Sequence, residues 1–239
     1  MFWHLRRLDE PMILIFVCMI IYAIPGLGTT DQLFSNTAIA GAELVVLDWP
    51  LPEANDTMPS YAKKFLPQID TSKPFCLLGV SFGGMLCTEL SRIIAPQKTF
   101  LISTCKSRAE LPWFIRLFKY VPVYRYISES KHRNMAYHGR WIIGFGKAYI
   151  PEFLGMVSSM KENYFRYCMN IIVNWEGKTF PENAIHIHGT GDRLLLYRYV
   201  KADHTIPGGS HAMVVFRAEE INHIVANEIG KLREVLPSA

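Results

Sequence analysis

The chain has few charges, no cysteine pairing pattern and no apolar stretch of membrane-spanning length, and each lack removes a class of protein. Only 19% of the 239 residues are charged and half are hydrophobic, which excludes a disordered polypeptide and calls for a sizeable core. A net charge of +4 is far from the footprint of a nucleic-acid binder, so nucleic acid is set aside as a partner. The main apolar run, residues 12–24, is shorter than the ~20 residues a spanning helix needs. It also passes straight into Pro25-Gly26-Leu27-Gly28, with neither the polar region nor the small-residue cleavage site of a signal peptide. The five cysteines are odd in number and scattered, with no C-x-x-C pair and no zinc-ligand spacing; they read as buried thiols of a reducing compartment. No internal repeat and no low-complexity segment is present.

What is there is an alternation of strand and helix patterns. Residues 19–24 read as the first core strand, and residues 1–17 as an extension whose status the pattern does not determine. A cytoplasmic protein is expected, with a membrane-anchored or exported form through the apolar N-terminus as the alternative. Thr29-Thr30-Asp31-Gln32 caps a short helix through Phe34. Residues 43–49 have the β-branched, apolar character of a buried strand. A proline-rich loop spans 50–59 and a helix 60–69. Residues 75–80 form a second buried strand, followed by helically spaced Leu86, Leu90, Ile93 and Ile94. Residues 98–104 read as another strand. Such alternation predicts a mostly parallel central sheet flanked by helices, joined by right-handed crossovers.

Between 105 and 180 the character changes. Strand patterns stop, aromatic residues crowd in, and twelve Lys and Arg stand against five Asp and Glu. This segment reads as helices broken at Pro122 and Pro151, inserted over the sheet as a cap within a single domain spanning 18–239. Its aromatics form either a small core of their own or a funnel for an apolar substrate. The sheet pattern resumes at 184–188, with a last strand expected at 199–202 and a closing helix at 214–236.

The chemistry centres on Gly79-Val80-Ser81-Phe82-Gly83. This G-x-S-x-G pattern, with a strand before it and a helix after it, fits a nucleophile elbow that lifts a serine hydroxyl above the sheet. The flanking glycines fit a turn that requires positive φ and close contact between strand and helix. An activated serine needs a base, and the base needs an orienting acid. Both are found downstream, at carboxyl ends of strands, where open α/β sheets keep their sites. Asp192 follows a strand in His188-Gly189-Thr190-Gly191-Asp192, and His211 lies in Gly208-Gly209-Ser210-His211 before the closing helix. Asp48, at the end of an earlier strand, is the substitute acid. His186 and His188 alternate onto one strand face without a third ligand, so they read as core or supporting histidines. The site needs neither metal nor cofactor. Two backbone N–H groups would bind the oxyanion, those of Phe82 and of Leu27 beside Gly26.

These motifs resemble those of the α/β-hydrolase superfamily, in particular compact bacterial serine hydrolases. The I-P-G-L-G loop stands at Ile24 to Gly28, the G-V-S-F-G-G elbow at Gly79 to Gly84, the H-G-T-x-D loop at His188 to Asp192 and the G-G-x-H loop at Gly208 to His211. The resemblance spans residues 19–239. It implies a serine esterase acting on a small acyl compound through Ser81, His211 and Asp192, with Leu27, Gly26 and Phe82 at the oxyanion. The chain departs from larger members in lacking strands ahead of the oxyanion loop and in having P-G-L-G there instead of H-G. Thioester, amide or lactone hydrolysis and acyl transfer are alternatives on the same triad, as is a non-catalytic binding protein of this fold.

Overall fold

A computed structural model describes residues 18–235 except 147–148 and 159–162. The reading of residues 1–17 lies outside the described residues, as does the end of the closing helix. Six strands build one sheet: β1 (Met19–Ile24), β2 (Ala42–Val46), β3 (Phe75–Val80), β4 (Thr99–Ile102), β5 (Ala184–Gly189) and β6 (His204–Ile206). Their spatial order is β2-β1-β3-β4-β5-β6, and every neighbouring pair is parallel. The strands are apolar on both faces because helices cover both. Tyr22, Ile24 and Leu77 point to one side, where they pack with Tyr61, Phe65, Phe82, Leu86 and Leu90. Ile21, Ala23, Leu78 and Val80 point to the other, where they meet Met213, Ile221, Val225 and Ile229. That two-residue alternation splits the core into two layers.

The helices are α1 (Met58–Lys63), α2 (Phe82–Leu90), α3 (Trp113–Leu117), α4 (Glu129–Ile143), α5 (Ile150–Ser158), α6 (Tyr164–Asn174), α7 (Met213–Phe216) and α8 (Ala218–Val235). From β1 the chain moves outward to β2, then returns across β1 to place β3 on its other side. The strand order therefore reverses between β1 and β3, and the crevice at their carboxyl ends is where such sheets bind ligands. The apolar run 12–24 resolves in its second half as β1, whose Ile21, Ala23 and Ile24 are fully buried. No helix among the described residues is long and apolar enough to cross a membrane.

Several boundaries differ from the sequence pattern, each for a local reason. The helix expected over 60–69 starts earlier, because Thr57 and Ser60 close a reciprocal capping box and Pro59 fits the first turn. It stops at Lys63 and yields to a 3-10 turn at Leu66–Gln68, since Pro67 disfavours helical geometry in the residue before it. The last strand lies at His204–Ile206, not at 199–202. There the backbone of Lys201 is engaged by side chains: its N–H donates to Glu110 and its carbonyl accepts from Lys106 Nζ. Pairing with β5 begins only at Asp203, whose N–H donates to the His186 carbonyl. Pro151 opens α5 instead of breaking a helix, since the first turn has no use for its missing N–H. The break falls at Gly144, whose φ of 101° terminates α4. The closing helix is split at Arg217 into α7 and α8.

The connections around β3 leave no room for side chains. A Cβ on Gly79 would lie 2.5 Å from the carbonyl oxygen of Gly83, a backbone atom that cannot move aside. Gly79→Ala should therefore destabilise the fold by about 3 kcal/mol. Gly155 on α5 has open space around its Cβ position, so Gly155→Ala should stabilise by about 0.8 kcal/mol. Urea unfolding of the two variants, read against the parent chain, checks both signs.

Candidate active site

The turn after β3 puts Ser81 at φ 54° and ψ −119°, a conformation that costs a non-glycine residue on the order of 1–3 kcal/mol. Positive φ belongs to the serine itself, and the flanking glycines have ordinary negative-φ backbones. Their function is close approach. A Cβ on Gly83 would sit 2.2 Å from the Ile24 carbonyl oxygen, and one on Gly84 2.6 Å from the Thr104 side chain. Four hydrogen bonds hold the elbow from inside: Ser81 N–H to the Ile102 carbonyl at 3.0 Å, and Thr104 Oγ1, Gly84 N–H and Met85 N–H to the Ser81 carbonyl at 2.5, 3.0 and 3.3 Å. Thr104 was not singled out by sequence; its place at the end of β4, the neighbour of β3, is the only signal for it.

The acid and the histidine arrive from the far side of the sheet. Thr190 N–H donates to the Ile206 carbonyl, Gly191 N–H to the Gly209 carbonyl, and Gly208 N–H to Thr190 Oγ1. The loops after β5 and β6 are thereby joined backbone to backbone, and a Cβ on Gly189 would lie 2.1 Å from the Gly209 carbonyl oxygen. Ala212 N–H is fixed to the Ile143 carbonyl at the end of α4. Between these ties, His211 Nδ1 stands 2.7 Å from Asp192 Oδ2 and His211 Nε2 2.9 Å from Ser81 Oγ. Ser81, His211 and Asp192 are thus brought into one hydrogen-bonded line from separate strand ends. Asp48 is exposed, holds Gln68 through its backbone, and takes no part in that line.

Asp192 is 3% exposed. Burial pushes its carboxyl up, but the charge and hydrogen bond of His211, with His188 and the Leu195 N–H, bring it below the usual carboxylate range. Its Oδ1 accepts from Leu194 and Leu195 N–H, both at 2.8 Å, so the carboxylate is locked by its own loop. These two donors follow from the turn-forming habit of Asp, although sequence did not identify them. Behind it, His188 and His186 are fully buried, supporting side chains as expected. The Leu195 carbonyl can only accept, so His188 Nε2–H donates to it at 2.8 Å; His188 Nδ1 then accepts from His186 Nε2–H at 3.3 Å. His188 Nε2 is also 3.4 Å from Asp192 Oδ2.

After Pro25, residues Gly26, Leu27, Gly28 and Thr29 form a tight turn closed by Thr29 N–H to the Gly26 carbonyl at 3.1 Å, with Gly28 at φ 80°. Leu27 is at the second position, where an N–H takes no part in closing the turn. Phe82, the first residue of α2, lies across from it, and a helix start leaves N–H groups free of intrahelical partners. Gly26, Leu27, Phe82, Ser81 and His211 all line one cavity of about 480 Å³. Of its 27 lining residues, fifteen come from the segment between β4 and β5, which therefore roofs the serine. Among the described residues no charged side chain lines it, and Thr29, Ser81 and His211 are its only polar side chains. Among the described residues no His, Cys, Asp and Glu cluster could hold a metal ion.

Burial lowers His188 and takes His186 down to about 3, with the neighbouring His188 and Lys106 adding to the effect on His186. In the unfolded chain both would titrate near 6.5. The unfolded state then binds protons that the folded state refuses, so stability falls as pH drops below about 6.5, by up to ~1.4 kcal/mol per pH unit for each histidine, and for His186 the loss continues toward 3. Asp192, also lowered by the fold, has the same sense in a more acid window: its contribution is complete above about pH 4 and is lost only below that. Urea unfolding from neutral pH down to about pH 4.5 should show a steady loss that sets in near the histidine value. A flat profile over this range would contradict neutral burial of the pair.

No protein-family model and no curated protein matches the sequence. Solved structures do match the fold. A candidate lipase (lip1) from Acinetobacter baumannii AYE superposes with a TM-score of 0.67 at 12% identity, over 91% of this chain and 85% of that one. A hydrolase from Pseudomonas aeruginosa PA01 gives 0.65 at 13% identity, over 89% and 90% of the two chains. A thermophilic esterase gives 0.60 at 17% identity, over 88% and 89%. At such identities the likeness speaks for architecture, and with the all-parallel six-stranded sheet it is decisive for that: the chain has the α/β-hydrolase fold.

Proposed function

We propose that this protein is a serine hydrolase that cleaves carboxylic esters of apolar acyl groups through an acyl-enzyme intermediate, as a single domain in which residues 105–180 form the cap. The observation that carries this reading is the Asp192–His211–Ser81 line at the floor of a largely apolar cavity. Ser81 Oγ attacks the ester carbonyl carbon while His211 Nε2 takes its proton. Asp192 holds His211 in the tautomer with a proton on Nδ1 and stabilises the imidazolium. The tetrahedral oxyanion is met by the N–H groups of Leu27 and Phe82, each contributing on the order of 3 kcal/mol. Gly26 lies directly beside the nucleophile: a Cβ there would be in van der Waals contact with Ser81 Cβ, 3.5 Å away. Collapse expels the alcohol, which leaves with the proton from Nε2. Water then repeats the sequence on the acyl-enzyme: it gives a proton to Nε2, the carbonyl re-forms, and Ser81 Oγ departs taking that proton back.

Ester or thioester substrates fit better than peptides. A peptide or amino-acid amide brings N–H and C=O groups that need partners, and the cavity offers no Asn, Gln, Asp or Glu side chain to supply them. The neighbours described as an esterase and a candidate lipase agree with this choice. A receptor of the same fold would have no need of the aligned triad.

A fluorophosphonate probe should phosphonylate Ser81 in the folded protein, and Ser81→Ala should abolish labelling without disturbing the fold. Absence of a Ser81 adduct would overturn the hydrolase reading. Asp192→Asn should lower kcat about ten-thousandfold, because it stabilises the wrong tautomer of His211. With nitrophenyl esters, kcat/KM should climb about threefold per methylene from acetate toward chains of about eight to twelve carbons. A preference for acetate would mean the cavity does not take the acyl group.

A further inference from the structure

The short element that roofs the cavity has a second apolar face, turned to water. α3 and the helical turns that carry it on to Val121 send Phe114, Ile115 and Phe118 into the cavity above Ser81. On the other side, spaced three or four positions from one another, Trp113, Leu117 and the pair Tyr120 and Val121 are 57, 46, 76 and 51% exposed, and Val123 and Tyr126 follow at 49 and 83%. So dense a run of exposed apolar side chains is costly in water unless something covers it. Interleaved with it are Arg116, Lys119 and Arg125, and no Asp or Glu occurs anywhere from 111 to 128.

We infer that this face docks on a bilayer containing anionic lipids, and that the acyl chain of the substrate enters the cavity from the bilayer. Three features select this occupant. Trp and Tyr are the side chains that settle at the membrane–water boundary, where an aromatic body and a polar tip are both accommodated. Lys and Arg on long stems reach from an apolar surface to lipid phosphates, and the segment 111–128 itself carries three cations and no acid. Tyr126 and Tyr120 are also the two most exposed large hydrophobic side chains among the described residues, and a fluid bilayer accepts such side chains without a preformed pocket. Met135 on α4 lines the cavity yet is 48% exposed, so the cavity comes to the surface beside this roof. A hydrocarbon chain could pass from one apolar phase to the other with little exposure to water. The entry route rests on Ser81 being the nucleophile; the docking does not.

Docking is measured on Ser81→Ala protein by flotation with vesicles of phosphatidylcholine mixed with phosphatidylserine, and of phosphatidylcholine alone. The expected result is binding to the mixed vesicles that weakens with salt and is much poorer on phosphatidylcholine alone. Lys119→Ser and Arg125→Ser should each weaken partition roughly fivefold. The combined Trp113→Ser, Tyr120→Ser, Tyr126→Ser variant should lose it. In the parent background that triple variant should keep its turnover of a water-soluble short-chain ester and its fluorophosphonate labelling, which shows that it folds, but lose hydrolysis of an ester embedded in the mixed vesicles. Failure of the Ser81→Ala protein to float with mixed vesicles, or flotation untouched by either set of substitutions, would overturn the docking. Self-association of the parent through this face, abolished by the same variants and without vesicle binding, would assign it to a second copy and overturn the proposal equally. Flotation with no Ser81 labelling would leave the docking standing and remove the hydrolase.

Discussion

A serine backbone held at φ 54° does not stay there by preference, and most of the site depends on what prevents it from relaxing. β3 and α2 meet at the turn with Gly79 against Gly83, and Gly83 against the carbonyls of Ile24 and Pro25. These contacts leave no space in which the turn could open. They also couple the nucleophile to the loop that follows β1, because the same glycine that lets α2 start beside the sheet lets the 25–28 turn approach Ser81. Positioning of Ser81 and of the candidate oxyanion donors is therefore one packing problem.

The other half of the site is set by a different joint. Asp192 and His211 stand on loops after β5 and β6, and those loops share backbone hydrogen bonds and the glycine contact between Gly189 and Gly209. The carboxylate is buried, yet it keeps three donors around it, Leu194 and Leu195 N–H and His211, with His188 Nε2 standing 3.4 Å away. A buried charge is tolerated only when so surrounded. The segment between β4 and β5 contributes fifteen of the residues that line the cavity over Ser81, and every one of those is apolar. Low polarity around Ser81 strengthens each electrostatic interaction made there.

Much of this was legible in the sequence. β1 and β3 were readable to the residue, because buried parallel strands are short apolar runs stopped by Pro or Gly, as at Pro25. The three residues of the line were readable from motif order and strand-end placement. What escaped the pattern was set by tertiary contacts or by capping. β6 could not be found at 199–202, since Glu110 and Lys106, about ninety residues away, occupy the backbone of Lys201 there. The start of α1 was hidden by a proline that looks like a loop residue but serves as a first-turn residue. The glycines flanking Ser81 were correctly expected to be necessary, but for close approach alone; the positive φ had to be located by structure. Thr104 carries no motif, and only the sheet brings it to the site, whereas His186 and His188 were readable as core or supporting histidines from their alternation on one strand face.

The account stands on Ser81 acting as a nucleophile, and the covalent intermediate tests that most directly. Protein mixed with a long-chain nitrophenyl ester and quenched in acid within the first turnover should carry one acyl group, found by mass spectrometry on the peptide containing Ser81. Release of nitrophenol with no acyl group on that peptide, or with the acyl group on another residue, would contradict it.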